Sequence, residues 1–310
     1  MFMFDINEKR SREYSYRELL REGTCELSKA AIVEAEADAW ILFSGTIGIN
    51  RTEYLINGSK QVEREQADIF WRKINRRINH EPVQYIEGHT AFMGFDFLVN
   101  ENVLIPRFDT EVLVDKAFLA VKEKMSDMLE GSEIKLLDMC TGSGCIIESL
   151  YLLCKDSKPC KDKEISVRAY ASDVSHEALE VAKKNAQRLN AKVTFFEGNL
   201  FENVSGKYDM IVSNPPYIRT DVINTLSSEV KDYEPMGALD GYEDGLFFYR
   251  KIIKLAKDYL NEDGYIFFEI GHDQGEDVCT LFAENGYKNV ELIKDLAGLD
   301  RVVCAKLKSK

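Results

Sequence analysis

The chain has 310 residues, 45% of them apolar, and a net charge of −13. That length exceeds one small domain and suits a large catalytic domain with a smaller companion. Residues 1–80 carry 13 basic and 13 acidic side chains, so the whole negative excess falls on the remainder, which argues against a surface built to track a phosphate backbone.

The opening Met1-Phe2-Met3-Phe4-Asp5 lacks the basic start and apolar core of a secretory signal, and no apolar run is long enough to span a bilayer. The seven cysteines include no Cys-x-x-Cys pair and the four histidines are scattered. Structural thiols in a reducing cytoplasm fit this usage, and no metal site is expected.

Residues 1–85 read as helices. Ser15-Tyr16-Arg17-Glu18 has the form of a capping box, followed by Leu19, Leu20, Leu27 and Ala31 at helical spacing. A second helix covers Ala35 to Phe43 around Trp40. A third covers Glu63 to Asn79, with Ala67, Phe70, Trp71, Ile74 and Ile78 on one face. Its other face carries Arg72, Lys73, Arg76 and Arg77, either as a solvated surface or as contact with a partner. Nothing in this part carries catalytic chemistry, so it reads as an accessory domain for substrate recognition. Glu81-Pro82 ends it. Strand-like pieces then alternate with glycines at Val83–Ile86, Ala91–Gly94 and Phe95–Val99, and Val103–Ile105 follows a turn. These place a β-hairpin connector at 86–105. Arg107, Asp109 and Thr110 come next, opening a helix with Thr110 or Asp109 as its cap or forming part of a pocket wall.

From residue 106 onward the pattern is that of one catalytic domain. Strand candidates are Ile134–Met139, Val167–Ser172, Val193–Glu197, Tyr208–Ser213, Gly264–Glu269, Val290–Ile293 and Arg301–Leu307. Helices fit at Cys145–Cys154, Ser175–Asn190, Gly245–Leu260 and Gln274–Asn285. Alternation of this kind builds a doubly wound α/β sheet. The short link Asp295–Asp300 cannot hold a helical crossover, so the last two strands are expected to be antiparallel. A mainly parallel seven-stranded sheet with an antiparallel last strand is the Rossmann-like class I methyltransferase architecture.

Cofactor chemistry is expected at the carboxyl ends of these strands. Leu136-Leu137-Asp138-Met139-Cys140-Thr141-Gly142-Ser143-Gly144-Cys145 is a strand, a glycine turn and a helix start. Ile147 stands where a pyrophosphate fingerprint would place its third Gly. Asp138 suits the positively charged amino-acid end of a ligand rather than a phosphate. Asp173, with Val174 behind it, can accept both hydroxyls of a ribose after the second strand. Asn199 can bond an adenine edge, and Leu200 can pack on the ring.

Ser213-Asn214-Pro215-Pro216-Tyr217 follows the buried strand Tyr208–Val212. The prolines lack N–H donors and hold φ near one value, and Pro215 restricts Asn214 as well. A side-chain amide, backbone carbonyls and an aromatic ring are thereby fixed at the edge of the sheet, ready to accept two N–H bonds from a planar amide or amine.

These stretches resemble the peptide chain release factor glutamine methyltransferase family (the PrmC, formerly HemK, group). The resemblance is carried by Glu81-Pro82-Val83-Gln84-Tyr85-Ile86-x-Gly88, Val103-Leu104-Ile105-Pro106-Arg107-x-Asp109-Thr110-Glu111, Asp138-x-Cys140-Thr141-Gly142-Ser143-Gly144-Cys145 and Ser213-Asn214-Pro215-Pro216-Tyr217-Ile218. Glu234-Pro235, Ala238-Leu239, Glu243-Asp244-Gly245-Leu246, Glu269-Ile270-Gly271 with Gln274, and Lys294-Asp295-Leu296-x-Gly298-x-Asp300-Arg301 extend it. Phe108 departs from a common Pro, and Gly241-Tyr242 precedes Glu243 where a second Gly is common. The resemblance implies transfer of a methyl group from S-adenosyl-L-methionine, leaving S-adenosyl-L-homocysteine, to the Gln amide of the Gly-Gly-Gln motif in class I release factors. It implies that Asn214 and a carbonyl of Pro215 or Pro216 hold that amide, that Tyr217 packs on it, and that Arg107 and Thr110 belong to the same site. An adenine N6 methyltransferase of DNA or RNA shares the Asn-Pro-Pro-Tyr type of site, but it must extract its base from a stack and usually carries a basic recognition domain. A catalytically silent adaptor would not need the glycine loop, Asp173 and Asn214 together. Neither membrane nor nucleic acid is expected as a partner.

Overall fold

The computed structural model describes Lys9 and residues 12–308; the opening Met1–Asp5 stretch lies outside the described residues. The chain divides into two compact units. One comprises residues up to Gly88 together with Ser227–Tyr233, and the other comprises His89–Leu226 together with the chain from Glu234 onward.

The first unit is helical, with helices Tyr16–Lys29, Ala35–Ile47, Arg51–Asn57, Arg64–Ile78 and Val83–Glu87. Its first helix starts on the expected capping box: the Glu18 carboxylate accepts the Ser15 N–H at 2.8 Å and the Ser15 hydroxyl accepts the Glu18 N–H at 3.4 Å. Asn50 and Glu53 form a second box, which starts the short helix absent from the sequence reading. Leu19, Leu27, Phe43, Phe70, Trp71 and Ile74 are fully buried in its core, each worth roughly 2 kcal/mol of burial.

Two expectations are corrected in this unit. Val83–Ile86 is part of a helix, not a strand. Pro82 stands at its N-cap position, and Gly88, at φ +79, closes it by donating to the Gln84 carbonyl; an apolar run this short fits either period. The basic cluster is not one open face. Arg77 is only 4% exposed, and it bonds Asp38 at 2.6 Å and Glu229 at 2.5 Å. Lys73 pairs with Glu87 at 2.8 Å and Arg76 with Glu81 at 2.5 Å.

The second unit opens with a hairpin of β1 (His89–Phe92) and β2 (Phe95–Leu98). Met93 and Gly94 both have positive φ, as a two-residue hairpin turn of the I′ type requires. The connector is therefore shorter than 86–105: Val103–Ile105 forms no strand, although Val103 and Ile105 are buried. Helix Thr110–Asp127 follows, and neither Asp109 nor Thr110 caps it through its side chain. The Asp109 carboxylate instead meets Arg301 at 3.2 Å.

The main sheet comprises β3 (Glu133–Met139), β4 (Ser166–Asp173), β5 (Val193–Glu197), β6 (Tyr208–Ser213), β7 (Leu260–Glu269), β8 (Tyr287–Lys294) and β9 (Asp300–Leu307), in the order β5-β4-β3-β6-β7-β9-β8. β9 runs antiparallel to both β7 and β8, and the remaining pairings are parallel. This is the expected class I methyltransferase fold. All six residues of β6 are buried, which explains a continuous apolar run in place of an alternating one. The strand order reverses between β3 and β6, so the crevice at their carboxyl ends is the switch point where ligands bind in such sheets. The Ser213 hydroxyl donates to the Met139 carbonyl at 2.6 Å and ties the two strand ends together.

Candidate active site

The glycine loop leaves β3 through three left-handed residues, Cys140, Gly142 and Gly144. At Gly144, with φ +82, any side chain would be strained, and its Cβ would also lie 2.3 Å from Glu148 Oε1 of helix Cys145–Asp156. At Gly142 a Cβ would meet nothing within 4 Å, which leaves open space beside the backbone. Four bonds hold the loop: Thr141 N–H to the Ser172 carbonyl at 3.1 Å, Thr141 hydroxyl to Asp138 at 2.6 Å, Gly142 N–H to Asp173 Oδ2 at 2.8 Å, and Asn185 Nδ2 to the Ser143 carbonyl at 3.0 Å.

Burial dominates the electrostatics here. It pushes the Asp138 carboxyl up to about 8 and the Glu148 carboxyl up to about 9, and each of these two groups is raised further by its neighbours' charge. Both Glu148 oxygens lack a hydrogen-bond partner among the described residues. Asp173 is also raised by burial, partly offset by N–H bonds from Ser175, Gly142 and Val174. Burial drives the Cys140 and Cys145 thiols well above their usual value, which favours the protonated, unreactive form.

A cavity of about 180 Å³ opens at the switch point. The glycine loop contributes Cys140, Thr141, Gly142 and Ser143 to its wall, β4 and the turn after it contribute Asp173 and Val174, and Asn199 and Leu200 follow β5. The same cavity reaches Asn214, Pro216, Arg107 and Thr110. Four expected residues lie outside its lining. Asp138 is fully buried behind the loop and accepts the Thr141 hydroxyl. Gly144 sits under the loop, Pro215 is buried in the turn, and the Tyr217 ring packs towards the core, with its hydroxyl 3.3 Å from Glu269 Oε1.

Leu104, Pro235, Ala238 and Phe248 line the cavity without having been given a role. All but Phe248 stand in or next to the motifs quoted above. Asn185, buried in helix His176–Leu189, carried no signal in the sequence, because an Asn on a helix ordinarily reads as surface.

The turn after Asn214 is fastened from several sides. Gln274 Nε2 donates to the Tyr217 carbonyl at 3.0 Å, and Gly271 N–H donates to Gln274 Oε1 at 2.9 Å. Gly245 packs against the same carbonyl, where a Cβ would come within 2.4 Å. Glu234, buried, holds Arg107 at the cavity wall with contacts of 2.6 and 2.7 Å. Asn214 Nδ2 lies 3.5 Å from Thr110 Oγ1. Among the described residues no backbone N–H donates to the carbonyl of Pro215 or Pro216. Asn214 and Pro216 thus stand at the cavity wall, beside a turn whose proline carbonyls accept no backbone N–H among the described residues.

Residues 18–88 match the PrmC N-terminal domain family, and residues 113–229 match the methyltransferase small domain family. A release factor glutamine methyltransferase of Agrobacterium fabrum is 39% identical over 89% of this chain and 92% of its own length. The Clostridium botulinum protein of the same name is 38% identical over 94% of this chain and 98% of its own length. The chain belongs to the release factor glutamine methyltransferase family. Family membership does not favour the adenine alternative. The hMettl16 catalytic domain, solved with the MAT2A 3'UTR hairpin 6, is 16% identical, covers 70% of this chain and 77% of its own, and has a TM-score of 0.52, which is a likeness of fold alone. Among the described residues no helix is long and apolar enough to cross a membrane, and no cluster of His, Cys, Asp and Glu could hold a metal.

Proposed function

We propose that this chain, acting in the cytoplasm, methylates the side-chain amide nitrogen of the Gln in the Gly-Gly-Gln motif of class I release factors, with S-adenosyl-L-methionine as donor. The observation that carries this reading is that Asn214 and Pro216 line the same cavity as the glycine loop, with no backbone N–H on the Pro215 or Pro216 carbonyl among the described residues. The residues fit the donor. Open space beside Gly142 lets a ligand approach the backbone, and the Asp173 carboxylate, though it already accepts N–H bonds from Gly142, Ser175 and Val174, keeps a lone pair for a ribose hydroxyl. Asn199 and Leu200, on the wall of the same cavity, would meet the adenine.

When bound, the sulfonium supplies an activated methyl group and a neutral leaving group. The protein supplies position. An amide nitrogen is a poor nucleophile because its lone pair is delocalised into the carbonyl. Asn214 and the Pro215-Pro216 carbonyls accept the two N–H bonds of the substrate, aim the nitrogen, and favour the positive charge that develops on it, which is discharged when the nitrogen gives up one of its two protons to solvent. Arg107 and the residues around Pro235 form the wall through which the Gly-Gly-Gln loop enters.

Incubation of the full chain with radiolabelled methyl donor and purified release factor, followed by peptide mapping, tests the assignment. Label on the Gln of Gly-Gly-Gln is the expected result; label on another residue, or none, removes it. Asp173→Ala is expected to weaken cofactor binding roughly tenfold, the loss of about 1.4 kcal/mol of hydrogen bonding. Calorimetry that returns the wild-type affinity would take Asp173 out of the cofactor site.

A further inference from the structure

The chain that leaves the Asn-Pro-Pro-Tyr turn is paired with the segment that ends at Tyr242. Ile218 N–H donates to the Leu239 carbonyl at 3.0 Å, Gly241 N–H to the Ile218 carbonyl at 2.8 Å, and Thr220 N–H to the Tyr242 carbonyl at 3.1 Å. Gly241 packs on the turn itself, where a Cβ would lie 2.7 Å from Tyr217 Cα. Asp240 Oδ1 accepts the Tyr242 N–H at 2.9 Å. These bonds hold Tyr242 at φ +68, a backbone region that a bulky residue rarely occupies and glycine occupies freely.

The Tyr242 side chain is not a core residue, being 49% exposed. Its ring lies on Phe247 with centroids 4.3 Å apart and is 5.9 Å from Phe248, and the rings of Phe247 and Phe248 meet edge to face at 5.2 Å. Lys251 Nζ, 4.3 Å from the Phe247 centroid, helps to fix that ring. Phe248 lines the cavity that Asn214 and Pro216 also line. The three rings therefore make one apolar surface that starts at the cavity wall and ends in solvent. A strained residue held by its surroundings beside a site is a mark of function. We propose that Tyr242 is a specificity-determining residue for the protein substrate: its ring, backed by Phe247 and Phe248, is the surface on which the two glycines of Gly-Gly-Gln lie.

This role rests on the reading that the substrate amide enters the cavity beside Asn214. Only the side chain of the Gln enters; its backbone and the glycines before it stay at the mouth. A glycine backbone has no Cβ, so it can lie flat on an aromatic face in van der Waals contact. A larger residue would lift the chain off the ring and draw the amide away from its acceptors, and a displacement of about 1 Å at a reacting atom is costly. The ring thus turns the absence of a side chain in the substrate into a condition for binding.

The test couples the enzyme to its substrate. Steady-state methylation is measured on intact release factor and on the same factor with Ala in place of the Gly before the Gln. The enzymes are wild type, Tyr242→Gly, Tyr242→Asn and Tyr242→Phe, and cofactor affinity and melting temperature are measured on the same preparations. Tyr242→Gly is expected to bind cofactor as wild type does and to raise KM for intact release factor about tenfold, with a smaller change in kcat. The penalty for the Ala-bearing factor in kcat/KM should be about tenfold smaller in Tyr242→Gly than in wild type, and Tyr242→Phe, which keeps the ring, should behave as wild type. A ring needed only for packing would lower the melting temperature and leave that penalty unchanged. A folded Tyr242→Gly enzyme with the wild-type KM, or with the wild-type penalty, overturns the proposal. If Tyr242→Gly does not fold, Tyr242→Asn decides by the same comparison, since Asn also tolerates positive φ. Absence of methyl on the Gln of Gly-Gly-Gln with the wild-type enzyme removes the underlying reading, whereas methylation of that Gln without coupling to Tyr242 removes only the aromatic surface.

Discussion

Asn214→Ala should slow methyl transfer about a hundredfold or more, the equivalent of roughly 3 kcal/mol in the barrier, with little change in cofactor affinity. The substitution deletes the side-chain acceptor at the carboxyl end of β6 and leaves the Pro215-Pro216 turn in place. Gln274, Gly245 and the bond from Ser213 to Met139 still hold that turn, so one of two acceptors is lost while the other keeps its position. Among the described residues the Asn214 side chain makes one hydrogen bond within the protein, the long one to Thr110, so the melting temperature should change by no more than a few degrees. A residue needed only for the turn would behave in the opposite way, losing stability and keeping the rate of the folded fraction. Melting temperature and single-turnover rate on one preparation distinguish the two, and a stable variant at the wild-type rate would exclude Asn214 from the chemistry.

Glu148→Leu should stabilise the protein, and by more at pH 8 than at pH 5. Glu148 is buried in an apolar helix with neither oxygen hydrogen-bonded among the described residues, and burial raises its carboxyl from 4.5 to about 9. Below pH 4.5 the group is protonated whether the chain is folded or not, and it has no effect on the pH dependence. Between the two values the unfolded chain releases the proton and the folded chain keeps it, so folding stability declines as pH rises. Above about 9 the loss is complete. The shift sets an upper bound of roughly 6 kcal/mol; we expect Glu148→Leu to recover about 2 kcal/mol of it at pH 8, as a shift of the urea midpoint. Asp138, raised to about 8, should produce the same trend in wild type and variant alike. An equal gain at both pH values would show that Glu148 is ionised in the folded protein.

The site was legible where its chemistry is local in sequence. The glycine loop, Asp173 and the Asn-Pro-Pro-Tyr turn each announce a backbone that must bend sharply at the end of an apolar strand, and the structure brings most of them to one cavity. Residues whose role depends on a distant partner gave no such sign. Glu269 reads as an ordinary strand end until Tyr217, 52 positions away in the chain, brings its hydroxyl to it. Glu148 looks like the polar side of a helix until the whole turn around it proves buried. Arg77 reads as surface until Asp38 and Glu229 close over it. The helix at Val83–Glu87 and the four-residue helices Thr220–Ile223, Ser228–Lys231 and Met236–Leu239 are too short for any periodicity to show.

The position of β9 has a consequence for how the molecule is made. β9 is inserted between β7 and β8, two strands that precede it in the chain. Until residues 300–307 leave the ribosome, β7 stands as an open edge and β8 has no neighbour in the sheet. At roughly 5–20 residues per second that interval lasts seconds, and an open apolar edge is where nascent chains pair with the wrong partner. Arg301, the cation beside Glu269, arrives on this same strand. Ribosomal synthesis therefore delivers Arg301, with its contacts to Asp109 and Asp295, only after β7 and β8 have been made, and a chain interrupted before β9 would leave those two carboxylates without it.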